Sequence, residues 1–104
     1  MSAITDGLAG VEEKVQSALK AISNDNGASP VLRAVVEDFG RKSTKATEQA
    51  AAGGSAAREA VIELEQAGDS SKFAAEADDG ASGDTREAVL AAHLAICMLK
   101  AETA

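Results

Sequence analysis

A chain of 104 residues with 17 acidic and 10 basic side chains carries a net charge of −7 and has a pI near 4.6. That balance excludes the phosphate backbone of nucleic acids as a natural partner. Its single cysteine excludes an internal disulfide and asks for no oxidising compartment. The N-terminal "MSAITDGLAG" has neither the basic start nor the apolar run of a secretory signal. The longest apolar run, residues 88–99, is too short for a bilayer, which takes about 20 residues. The expectation is one soluble, cytoplasmic domain spanning 1–104, with no nucleic-acid and no membrane partner.

Large apolar residues are scarce, near the roughly 20% level at which a charged chain tends to disorder. Tyr and Trp are absent, while alanine is abundant. Alanine favours helix and lets helices approach closely. The composition therefore predicts an ordered helical protein with a thin core, of the kind that gains burial by association. The acidic excess is concentrated in residues 53–104, which would steer a basic partner there. Solvated charge on helix faces accounts for it more simply.

The first predicted helix runs over about 5–24. Ile4, Leu8, Val11, Val15, Ala18 and Ile22 recur at heptad spacing, and "SNDNGAS" breaks the pattern. The second covers 30–52, with Ser29 as N-cap and Pro30 at the first helical position. Its stripe is Leu32, Val35 or Val36, Phe39, Ser43, Ala46 and Ala50, and Arg33–Glu37, Glu37–Arg41 and Asp38–Lys42 are spaced as ion pairs. Gly53 and Gly54 end it. The third helix, 55–78, starts on Ser55 as N-cap and buries Ala60 or Val61, Leu64, Ala67, Ser71 and Ala74 or Ala75. Gly68 within "AGDSSK" predicts a bend. "ADDGASGD" reads as a solvated loop. Asp84 as N-cap and Glu87 three residues on open the fourth helix, 84–101. No strand pattern and no internal repeat is read. Matched helix lengths and short loops predict an all-α, antiparallel up-down-up-down four-helix bundle.

The fourth helix has almost no polar face, because Ala88 to Leu99 are apolar apart from His93. A small bundle buries one stripe of each helix, so the remainder predicts an interface through Val89, Leu90, Leu94, Ile96, Met98 and Leu99. The partner expected is a second copy or another helical protein.

His93 and Cys97, each unique in the chain, share a helix face at i,i+4. One reading makes them polar contacts to a metal, cofactor or small apolar ligand, completed by Asp or Glu from other helices. The other makes His93 a core or interface residue bonded to a carboxylate or carbonyl, with Cys97 a small hydrophobe. The absence of a second Cys or His favours the latter, so no cofactor is predicted. No catalytic constellation emerges. The apolar setting would raise the thiol pKa, and the Glu-x-x-His pair of di-iron bundles is missing. A phosphotransfer histidine would want basic neighbours, and none follows until Lys100. The loop acids Asp78, Asp79 and Asp84 do not fit calcium-loop spacing. "AAAGGSAAR" lacks the Lys-Ser/Thr of a phosphate loop, and the letters "DFG" at 38–40 fall in a helical stripe.

Overall fold

Four helices form where the periodicity places them. The computed structural model describes residues 3–103, with α1 at Ala3–Ser23, α2 at Pro30–Ala50, α3 at Gly54–Ala77 and α4 at Gly83–Thr103. Each boundary lies within two residues of its expectation, and no strand occurs among the described residues. Each helix packs on two neighbours in a ring α1–α2–α3–α4, while the diagonal pairs scarcely touch. The molecule is an all-α four-helix bundle. None of its helices is long and apolar enough to cross a membrane.

The heptad stripe of α1 points inward as its spacing requires: Leu8, Val11, Val15, Ala18 and Ile22 are buried. Val36 rather than Val35 takes the inward position on α2, beside Leu32 and Phe39. α3 buries both Ala60 and Val61 and continues as one helix through Gly68. The glycine serves packing rather than interruption. A Cβ there would lie 3.0 Å from Ile96 Cγ2 and 3.3 Å from Phe39 Cζ, so its absence lets α3 settle on the core's largest side chain. At the far end, Gly53 and Gly54 make the α2–α3 turn with φ of 73° and 56°, a region side chains rarely adopt.

The loops α1–α2 and α3–α4 lie together at one end and bind each other reciprocally. Asp25 Oδ2 accepts from Ser82 N at 2.8 Å, and Asp78 Oδ2 accepts from Ser29 N at 2.8 Å. Each other carboxylate oxygen closes its own loop, Asp25 on Gly27 N and Asp78 on Gly80 N, both at 3.0 Å. Ser29 Oγ caps Leu32 N, and Ser82 Oγ caps Thr85 N. Arg33 donates to the carbonyls of Ile22 and Asp25, and Arg86 to those of Ala75 and Asp78.

These equivalences reveal an internal repeat, correcting the sequence reading. Asp25, Gly27, Ala28, Ser29 and Arg33 recur 53 positions on as Asp78, Gly80, Ala81, Ser82 and Arg86. The buried positions follow the same offset: Leu8 with Val61, Val11 with Leu64, Ala18 with Ser71, Val36 with Val89, Ala46 with Leu99. The chain is two related helical hairpins face to face, with the reciprocal contacts of a twofold interface.

The same geometry corrects three local expectations. Arg33 clamps loop carbonyls instead of pairing with Glu37, while Asp38 takes both Lys42 and Arg41. Ser82, not Asp84, caps α4. Gly53 precedes α3 without a side-chain cap, so Ser55 lies inside the helix.

Two tests address this latch. A Cβ on Gly27 would sit 2.2 Å from the Gly80 carbonyl oxygen, backbone that has no flexible end to yield. Gly27→Ala should therefore cost about 1–3 kcal/mol in urea unfolding, as overpacked interiors do. The Asp25 carboxyl is held at about 2, against an ordinary 3.8, chiefly by the Ser82 N–H and the Thr85 hydroxyl. Between those values the folded state binds fewer protons than the unfolded, so stability rises from pH 2 to 4 and is lost on acidification. Asp25→Asn should lower stability at neutral pH and flatten that acid slope.

Candidate functional site

On the α3–α4 face, three unlike side chains converge. His93 Nε2 lies 2.6 Å from Asp69 Oδ1 of α3 and 3.3 Å from Cys97 Sγ, one turn along α4. One ligand atom from each falls within 4.8 Å of the others. The i,i+4 spacing stacks Cys97 over His93, and the antiparallel register of α3 brings Asp69 alongside. Gly68 lies beside the ring, where a Cβ would make ordinary contact at 3.4 Å from His93 Cδ2. The imidazole is mostly covered, at 16% side-chain exposure, while the Asp69 carboxylate is 44% exposed and free to adjust. One turn further, Lys100 Nζ and Glu65 Oε1 pair at 3.4 Å.

Burial pushes the Cys97 thiol above its ordinary value, and the nearby negative charges of Glu65 and Asp69 push it further. Lys100 and Lys72 oppose the shift without cancelling it. The thiol is therefore protonated at neutral pH, as its apolar setting predicts. The geometry also argues against a nucleophilic relay. A Cys–His–Asp relay needs the acid on one ring nitrogen and the thiol on the other. Here both partners address Nε2.

Of the six residues expected at an interface, Val89, Ile96 and Leu99 belong to the bundle's own core. Leu90 is half-buried, and Leu94 and Met98 are 59% and 54% exposed. The correction has a simple cause. α4 packs on both α1 and α3, so its buried arc is wider than one stripe. An outward stripe remains, in which Ala91, Leu94, Met98 and Ala101 are exposed at 3-4-3 spacing. The loop acids behave otherwise than a cation cluster, since both Asp78 oxygens already accept backbone N–H groups.

Asp69 is the site residue the sequence did not single out. Its signal lay in register: helices joined by a short loop set residue 69 opposite residue 93. Comparison of the chain with protein-family models, with curated proteins and with solved structures found no match.

The raised thiol pKa has a direct readout. At pH 7.5, iodoacetamide should alkylate Cys97 more slowly in the native protein than in the urea-unfolded chain, because alkylation consumes the thiolate. Asp69→Asn, which removes one opposing charge, should narrow the gap. An equal or faster native rate would contradict the assignment.

Proposed function

We propose that the protein acts by self-association through the outward face of α4. The observation that carries this reading is the stripe Ala91, Leu94, Met98 and Ala101, which carries no charge and faces solvent. Its spacing is that of the seam between paired helices. Beside Met98, Gly10 of α1 leaves the adjoining surface low, with the space open to 4 Å, while Leu99 fills the room over Gly7. A helix can therefore lie in the shallow groove between α1 and α4. A second copy is the occupant because its own α4 offers the same seam in return, and such isologous pairing is the commonest way oligomers close.

The expected strength is modest. Fully burying a Leu or Met side chain contributes about 1.5–3 kcal/mol. Two such anchors per copy must offset association costs of roughly 4–15 kcal/mol. That arithmetic favours a reversible dimer in the micromolar range or weaker. Sedimentation equilibrium should show mass rising towards a dimer with concentration. Leu94→Glu and Met98→Glu, both at exposed positions, should abolish the rise while leaving the helical circular dichroism intact. A strictly monomeric protein up to about 1 mM would overturn the proposal, as would a dimer indifferent to both substitutions.

A further inference from the structure

We propose that Asp69, His93 and Cys97 form a three-ligand site for a divalent cation of the zinc class, with solvent in the fourth position. The donor set is one imidazole nitrogen, one thiol sulfur and one carboxylate oxygen, which suits a borderline cation and not calcium or magnesium. Tetrahedral zinc with bonds of about 2.0–2.3 Å places its ligand atoms roughly 3.3–3.6 Å apart. The Nε2–Sγ separation of 3.3 Å is a little below the roughly 3.5 Å of a nitrogen–sulfur pair on zinc and need open only slightly. The Nε2–Oδ1 separation of 2.6 Å must open, and Asp69 is the exposed partner that can swing.

Hydrogen bonding alone leaves the cluster awkward. Nε2 carries either one proton or one lone pair in the ring plane, yet it faces both a carboxylate oxygen and a sulfur. If it donates to Asp69, the sulfur is at most a weak second acceptor and the thiol proton turns elsewhere; if it accepts from the thiol, the carboxylate faces a lone pair. A cation at the centre takes the nitrogen lone pair, a sulfur lone pair and a carboxylate lone pair together. The thiol proton goes to solvent, so one proton is released per ion bound and no oxidant or reductant is involved.

The positions 53 residues before these three ligands are Gln16, Gly40 and Thr44, which offer no imidazole, thiol or carboxylate. These positions differ between the hairpins, as do many outside the latch, core pairs such as Phe39 and Ala92 among them. The second hairpin places the chain's sole histidine and sole cysteine against the same carboxylate.

Cobalt(II) titrated into reduced, metal-free protein tests the proposal. The expected result is a thiolate-to-cobalt charge-transfer band with tetrahedral d–d intensity, saturating at one ion per chain and displaced by zinc. Affinity should rise with pH as the thiol proton is lost. Cys97→Ser, nearly isosteric, should remove the charge-transfer band. His93→Gln and Asp69→Asn should weaken binding at least about tenfold. Asp79→Asn, in the distant loop, should bind like the parent. Zinc should also raise the melting temperature of the parent and not of Cys97→Ser, a readout independent of colour. An octahedral cobalt spectrum without charge transfer, or a band that survives Cys97→Ser, would overturn the site. If His93→Gln unfolds, the serine variant alone still decides.

Discussion

The bundle depends on two carboxylates that each tie the other hairpin's loop. Asp25 reaches across to Ser82 N and Asp78 reaches across to Ser29 N, both at 2.8 Å. Each contact is a charge-assisted bond at the start of a helix, where backbone donors lack helical partners and the dipole favours negative charge. Gly27 and Gly80 permit the approach, since a Cβ on either would strike the other's carbonyl oxygen. A core this rich in alanine has little shape with which to choose among helix arrangements. The latch supplies the choice at one end, and the Gly53–Gly54 turn closes the other with backbone conformation alone.

The repeat makes the latch reciprocal, and its two sides are not identical. Leu32 and Thr85 are equivalent and both fully buried. Only Thr85 has a hydroxyl, and it donates to Asp25 Oδ2 at 2.7 Å. Asp25 therefore accepts a bond that Asp78 lacks, and its carboxyl is held at about 2 by the Ser82 N–H first and this hydroxyl second. Elsewhere the hairpins differ in bulk. Phe39 corresponds to Ala92, and the ring packs closely over Gly68, whose Cβ would lie 3.3 Å from Phe39 Cζ. The core is complementary between the halves rather than identical.

Periodicity made the fold legible, because apolar side chains at heptad spacing on α1 and α2 have one way to leave water. The repeat escaped for a physical reason as well. Between the loops, the two halves satisfy the same buried positions with different residues, such as Ile22 and Ala75 or Ser43 and Ile96, which a comparison of letters does not equate. The surviving signature sits in short loops rich in Asp, Gly and Ser, which look like any solvated turn. Half of the expected interface was misplaced because the number of neighbours around α4 is a property of the assembled ring. Asp69 was missed because its register against His93 is fixed by the α3–α4 loop, not by anything near residue 69.

α4 then divides its circumference three ways. Val89, Ala92, Ile96 and Leu99 face the core. His93, Cys97 and Lys100 flank α3, where their partners are Asp69 and Glu65. Ala91, Leu94 and Met98 face outward. Each set recurs every three or four residues, so consecutive residues, about 100° apart, fall on different arcs. This is why the helix looks apolar all round while doing unlike things on each side. It also keeps those roles separable: a change at Leu94 leaves the His93–Cys97 face intact, and a change at Cys97 leaves the outward stripe intact. The flank and the outer face can therefore be altered one at a time on the same helix.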